Sequence, residues 1–394
     1  MDYFFKQAFI LLHHKLKALL LFIMLCGFVG CTQESPQKEI FYVGTFEGRG
    51  SEGIYVYEFD RETGVMEHIQ TVSGRNSPNF QALHPQGHTL YSISNEVYAG
   101  SAGHGTITAY RIEPETGLLT LMNEQSVEGR GPAHVSVDPL GRFVYASNYS
   151  EGNLSVFRID ENGSLSEAVQ VIQHEGSSIN ERRQNAPHVH SIIPSADGRF
   201  IYVSDLGLDK ILIYQVNAAT GQLTSAQPPY AENTPGSGPR HFALHPGGKF
   251  AYSAEELSST VAVFEVNQQT GALEQIQRIT MLPEGYDGSN SAADIHLSPD
   301  GKFLYASNRG HDSIVIYEVD EETGVLDVVG HEDTRGGHPR NFLMDQYGDF
   351  IFVANRDDDN VVIFERNRET GELEYTGEQI HVPMAVCLTQ FTLK

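Results

Sequence analysis

Pro239-Arg-His-Phe-Ala-Leu-His-Pro-Gly-Gly-Lys-Phe-Ala-Tyr-Ser-Ala-Glu255 has a counterpart in Pro132-Ala-His-Val-Ser-Val-Asp-Pro-Leu-Gly-Arg-Phe-Val-Tyr-Ala-Ser-Asn148. In both, two short apolar runs flank a Pro-x-Gly turn, the pattern of two strands joined tightly. Related stretches begin at Pro78, Pro187, Ala292 and Pro339. A second signature alternates with the first. It is a Gly after a polar residue, at Gly64, Gly117, Gly163, Gly221, Gly271, Gly324 and Gly371, spaced by 46 to 58 residues and by about 51 on average. Each copy lies between β-patterned runs, as in Ile314-Val-Ile-Tyr-Glu-Val-Asp320 before Gly324 and Val325-Leu-Asp-Val-Val329 after it. Four strands in meander order per period is the arithmetic of a propeller blade.

Working outward from these copies gives six complete units. Residues 40–70 supply only the last three strands of another, and Pro383-Met-Ala-Val-Cys-Leu-Thr-Gln-Phe391 reads as its missing first strand. Joining the two ends leaves no exposed sheet edge to invite aggregation. The expected fold is therefore all-β: a seven-bladed β-propeller over residues 40–394, closed by pairing of the N- and C-terminal strands, with no second domain.

The composition agrees with one large core. Of 394 residues 40% are apolar and 20% charged, and the formal charge is −25, which repels phosphate backbones and anionic lipid surfaces. No nucleic-acid partner is expected. The cysteines are Cys26, Cys31 and Cys387, too few and too badly placed for a disulfide framework or a cysteine zinc site. No metal and no cofactor is called for.

Residues 1–30 stand apart. Lys6, Lys15 and Lys17 precede an uncharged run from Ala18 to Gly30, shorter than the roughly 20 residues of a spanning helix, so an export signal is expected. It ends in Phe28-Val29-Gly30-Cys31, which resembles a bacterial lipobox with Phe28 where Leu is usual. Cys31 is then the expected lipidation site, residues 31–39 a polar tether, and the product an exported protein held to a bacterial membrane only by its N-terminal lipid, on the periplasmic side or the cell surface. An uncleaved anchor or plain secretion are the alternatives.

Meander order fixes which turns share a face. With strands lettered A to D from the channel outward, A–B and C–D turns lie on one face, and D–A entries and B–C turns on the other. The residue just inside strand A is Asn79, Ala133, His190, Arg240, Ala293, Arg340 and Met384 around the ring, His190 after a two-residue shift. The residue just past strand B is Tyr149, Leu206, Glu256, Arg309 and Arg356 in successive units. Positions that structure alone would make alike carry a histidine, arginines and an acid, so their shared mouth is the expected site. The inserts 174–186 and 284–290 are D–A connections that overhang it. On the other face His84, Asp138, His245, Ser298 and Asp345 read as turn caps. Asp357-Asp-Asp359 reads as a solvated acidic turn, since three consecutive residues do not make a cation cage.

Six motifs, in order, resemble those of the propeller-type lactonases, the family of bacterial 6-phosphogluconolactonases and the fungal carboxy-muconate lactonising enzyme. They are Asn185-Ala-Pro-His-Val-His-Ser191, Gly238-Pro-Arg-His-Phe242, Glu256-Leu-Ser-Ser259, Ala292-Ala-Asp-Ile-His296, Ser307-Asn-Arg-Gly310 and Pro339-Arg-Asn-Phe342. The resemblance implies hydrolysis of a small sugar lactone, with His190, Arg240, Glu256 and Arg309 as catalytic residues. Glu255 departs from it, standing where the family more often has Asn.

The chemistry is consistent with those residue types. Lactone opening needs a base to activate water, a cation for the oxyanion and an acid for the leaving alkoxide. His190 titrates in the right range, and Arg240 or Arg309 offers bidentate contacts to an oxyanion, carboxylate or phosphate. Glu256 is expected either to share the acid/base work or to orient His190. His188, Arg340, Asp294, His296 and Arg183 are the expected substrate-binding neighbours, with His188 behind the contact layer and with Asp294 and His296 either contacting hydroxyls or merely supporting their strand. No Gly-x-Ser-x-Gly elbow or cysteine nucleophile is present, which disfavours an acyl-enzyme. An exported location favours a non-phosphorylated sugar or uronic lactone at least as much as the phosphorylated one. The alternative reading is a non-catalytic propeller that binds a ligand or protein partner at the same mouth.

Overall fold

The computed structural model describes residues 38–393. The export signal, Cys31 and most of the expected tether lie outside them. The described residues form 28 strands in seven four-stranded antiparallel sheets. Six sheets are continuous in sequence, with innermost strands Pro78–Leu83, Pro132–Val137, Val189–Pro194, Pro239–Leu244, Ser291–Leu297 and Pro339–Met344. The seventh takes its innermost strand, Ala385–Thr392, from the C-terminus and the next three, Glu39–Thr45, Gly53–Asp60 and Val65–Ser73, from the N-terminus. The closing register pairs Ile40 with Phe391 and Val43 with Leu388. This is the seven-bladed propeller the repeats imply. Glu39 is already inside the blade, opposite Phe59 and Thr392.

Burial follows distance from the axis. The B strand Phe250–Glu255 is buried at every position, whereas the D strand Leu165–Gln173 alternates toward exposed. A B strand has a neighbouring sheet on both faces, so it reads as an unbroken apolar run. A D strand has solvent on its outer edge.

The Gly that sets the repeat is an inter-blade lock. At Gly221, Gly271, Gly324 and Gly371 φ is 74–76°, a left-handed conformation that costs a side-chain-bearing residue. A Cβ at these four would also overlap the rings of Phe143, Phe200, Phe250 and Phe303, each the first residue of strand B in the preceding blade. The same turns accept hydrogen bonds from buried tyrosines of that blade: Tyr42 Oη to Gly117 O at 2.8 Å, Tyr252 to Gly324 O at 3.1 Å, Tyr305 to Gly371 O at 2.7 Å. The period is visible in the sequence because every blade must present the same concave turn to its neighbour.

Each A–B pair carries a register shift near the start of strand A. In the 239–280 blade Pro239 pairs with Glu255 and His241 with Ala254, which leaves Arg240 out of the ladder. His190, Arg340, Asn79 and Ala133 are left out in the same way. In the closing blade the residue so placed is Val386, not Met384. Met384 lies before the strand with φ 54° and donates its N–H to Asp359. Pro383-Met384 looks like Pro239-Arg240 but belongs to the entry loop.

Candidate active site

A bulged residue is freed from the pleat alternation and its side chain is re-aimed. Here the bulges sit at the rim of the channel, on the face of the D–A entries and B–C turns. There a cavity of about 410 Å³ is lined by Asn79, Ala133, His190 and Arg340 from bulge positions, and by Phe46, Asn95, Tyr149, Glu256 and Arg309 from the end of strand B or just past it. Two repeat positions thus account for most of the wall.

Glu256 is the electrostatic centre. Its carboxylate lies 3.1 Å from Arg240 Nε, 2.9 Å from Arg309 Nη2 and 2.5 Å from Arg183 Nη2. Burial opposes its ionisation, but Arg309, Arg240 and Arg183 outweigh that and hold the carboxyl well below the usual range. It makes no hydrogen bond with His190. Arg240 does not line the cavity. Nearly fully buried, it donates to Ala293 O at 2.6 Å, and burial together with Arg309 brings its pKa down to about 10. Arg309 faces the cavity and is steadied by the carbonyls of Ser291 and Ala292. Arg340 also faces it, with its guanidinium 4.9 Å from the Phe46 ring centre and no ion pair among the described residues. Burial, Arg240 and Arg309 all push its pKa down. Four guanidiniums therefore surround one carboxylate, in a chain whose formal charge is −25.

His190 forms part of the cavity wall and is only 3% exposed. Burial first, then Arg240 and His241, hold its pKa well below 6.5, so the ring is neutral at neutral pH. Its Nδ1 is buried without a hydrogen-bond partner, which leaves Nε2 as the nitrogen presented to the cavity. Tyr149 meets its ring edge-on at 5.5 Å, and His188 stacks on the far side of Tyr149 at 4.5 Å. His188 also donates from Nδ1 to Tyr149 O at 3.0 Å, so it supports the wall without lining it.

The two inserts differ. Residues 174–186 reach over the mouth through Arg183, which donates to Glu256 and to Tyr149 Oη at 3.2 Å. The 284–290 insert packs on the turns beside it, Tyr286 against His311 and Asn290 against Asn308 and Ser259, and only Ser291 after it reaches the cavity. Glu255 is spent elsewhere: Asn233 donates to it at 3.0 Å and Arg278 pairs with it at 2.7 Å. At the same place Asn148 and Asn308 donate to backbone carbonyls instead. Asp358 accepts from Gly337 N and Asp359 from Met384 N, so the acidic run caps the neighbouring entry loops.

Asp294 and His296 do not join this mouth. They line a second cavity, of about 440 Å³, at the opposite end of the channel, together with Phe80, His134 and His241. Among the described residues no group of three His, Cys, Asp or Glu side chains is arranged to hold a metal. Cys387 is buried, and burial pushes its thiol up to about 12, useless for nucleophilic attack. Sequence reasoning missed Phe46, Asn95 and His241. The first two occupy the repeat position of Glu256 and were open to the same alignment. His241 stood beside Arg240 with no separate signal.

A closed seven-bladed ring with a cationic, histidine-bearing mouth defines a class of small-ligand propellers. Residues 40–390 match the family described as Lactonase, 7-bladed beta-propeller, and the chain belongs to that family. It is 37% identical to the 6-phosphogluconolactonase of Bacillus subtilis over 78% of this chain and 85% of that one. It is 38% identical to the 6-phosphogluconolactonase of Formosa agariphila over 78% and 86%. The solved structure of the periplasmic gluconolactonase of Pseudomonas aeruginosa superposes with a TM-score of 0.85 at 33% identity, covering 91% of this chain and 100% of that one.

Proposed function

We propose that this protein hydrolyses the lactone of a sugar acid at the cationic mouth, His190 serving as general base and then general acid. The observation that carries the reading is the charge count: Arg183, Arg240, Arg309 and Arg340 against Glu256 alone, beside a neutral imidazole. A water oxygen attacks the lactone carbonyl while His190 Nε2 takes its proton, and Arg309 holds the oxyanion. Collapse breaks the bond between acyl carbon and ring oxygen, and the alkoxide receives the proton back from His190. The product is a hydroxy acid, which ionises. Because burial and the arginines disfavour the imidazolium, the proton is handed on readily.

Glu256, locked by its arginines, holds them in place and moves no proton. Arg340, lacking a carboxylate, takes an anionic substituent of the substrate, a phosphate or a second carboxylate. The names of the Bacillus and Formosa relatives are in keeping with a phosphorylated substrate, and that of the Pseudomonas protein with an unphosphorylated one. Steady-state turnover on a panel of neutral, uronic and phosphorylated aldonolactones tests the reading. The highest kcat/KM belongs to an anionic lactone, and no rate above spontaneous hydrolysis on any of them would leave only a binding propeller.

The leader supports export and lipid attachment at Cys31. Cys31→Ala then leaves an uncleaved precursor, and mass spectrometry of the wild-type membrane fraction finds an acylated N-terminal cysteine. Its absence would overturn the anchor.

A further inference from the structure

One level below the mouth, the position after each bulge is held by Phe80, His134, Ser191, His241, Asp294, Asn341 and Cys387. Blade geometry does not demand a histidine or an acid there, since Phe, Ser and Cys serve as well. Yet His241 and Asp294 are adjacent. His241 Nδ1 lies 2.6 Å from Asp294 Oδ1, and His296 Nε2 lies 2.9 Å from Asp294 Oδ2. Asp294 also accepts from the backbone N–H groups of Ile295 at 3.0 Å and Phe342 at 3.3 Å and from the Asn341 amide. A carboxylate accepting five hydrogen bonds is firmly ionised, in keeping with a pKa that His296 and His241 hold well below the usual range against the effect of burial.

That fixes the protons. An ionised carboxylate only accepts, so His241 Nδ1 carries the hydrogen. His241 is neutral, its pKa lowered to about 4 by burial and by Arg240, so its Nε2 bears a lone pair. This Nε2 is buried and without a partner, as is Nδ1 of His190, and the two rings meet edge to face with centroids 5.3 Å apart. The lone pair on His241 Nε2 calls for a donor, and the unpartnered Nδ1 of His190 on the neighbouring ring supplies one when it carries the hydrogen, which leaves Nε2 of His190 bare. The two orphaned atoms are then a donor and an acceptor on neighbouring rings.

We propose that Asp294 and His241 form a relay that fixes the tautomer of His190, keeping its hydrogen on Nδ1 and presenting the Nε2 lone pair to the substrate. His241 and Asp294 are positioning residues that act through His190. The relay assigns to the far side of the channel a part in the chemistry of the mouth. Its catalytic consequence rests on the lactonase reading. The tautomer itself does not.

The test uses the whole protein, with imidazoles labelled by ¹⁵N and His190 assigned by its disappearance in His190→Gln. In the wild type His190 is protonated at Nδ1 and bare at Nε2. His241→Phe mimics Phe80, which holds the equivalent place in another blade, and so keeps the packing. It lets the His190 tautomers mix and lowers kcat at least about 10-fold with KM nearly unchanged, since a misoriented base costs turnover more than binding. Asp294→Asn shifts the His190 signals in the same direction. His134→Phe, on the same level with its ring 5.6 Å from that of His241, changes neither. A wild-type His190 protonated at Nε2 overturns the proposal, as does unchanged turnover in a folded His241→Phe protein or an equal loss in His134→Phe. If no lactone is turned over while His241→Phe still shifts the tautomer, the relay stands and the lactonase reading falls.

Discussion

Arg340 is a partly buried guanidinium with no ion pair among the described residues, and a desolvated charge left uncompensated is costly to a fold. Its presence therefore points to a ligand that supplies the missing anion. Arg340→Met is expected to raise KM for an anionic lactone by about 10-fold or more, the worth of a hydrogen bond between charged groups, without lowering the melting temperature. A lowered melting temperature at unchanged KM would instead make Arg340 a structural residue. The sequence revealed His190, Arg240 and Arg340 because the repeat placed them on equivalent positions. It could not reveal that Arg240 is screened behind Glu256 while Arg309 and Arg340 reach the cavity, because that depends on how three long side chains share one carboxylate and leave the fourth without one.

At the scale of the element, the bulge near the start of strand A decides which residues reach the mouth. It inserts one residue without changing the turn signals on either side, so counting from a proline succeeds only where the proline opens the strand. Pro239 and Pro339 open theirs; Pro383 lies inside the entry loop, two residues before the strand begins at Ala385, so the count falls on Met384 where Val386 belongs. The same bulge sets depth along the channel. Asp294 lies just past the bulge of its strand and His296 two residues further, which carries both toward the opposite end of the channel. The A–B turns behave as their composition suggests. Asp138 accepts from Phe143 N at 2.9 Å and pairs with Arg142, as Asp345 does with Phe350 N at 2.8 Å. Asp138→Ala should cost about 1–3 kcal/mol, the penalty for stranding a buried donor, and leave KM and kcat within a factor of two. Urea unfolding with parallel kinetics measures both, and a catalytic defect without a stability loss would contradict the capping role.

For the whole molecule, the channel makes stability depend on pH. Burial first of all depresses the pKa values of His134, His190 and His241. As pH falls below about 6.5, the unfolded chain takes up protons at these three sites while the folded one does not, and each costs about 1.4 kcal/mol per pH unit. His296, raised by Asp294 against the effect of burial, has the opposite sign: it binds its proton in the fold and loses that contribution as pH rises through its folded value. Below about pH 4 the depressed Glu256 and Asp294 add further losses. Urea midpoints should therefore decline steeply between pH 6.5 and 4.5. A flat profile would mean that the channel histidines protonate in place.

Blade number and ring closure were both legible in the sequence, since each is a consequence of one repeated turn that must fit its neighbour. The division of labour across the channel was not, because it arises where residues of different blades meet on the axis. The claim that joins these scales is that the mouth hydrolyses a lactone through His190 and Arg309. The direct measurement is kcat on a δ-lactone for the wild type, His190→Ala and Arg309→Met, with spontaneous hydrolysis subtracted at each pH and folding checked by melting temperature. Each substitution should lower kcat by about 10² or more with the ring intact. Wild-type turnover in both variants would contradict the account and remove the mouth from the chemistry.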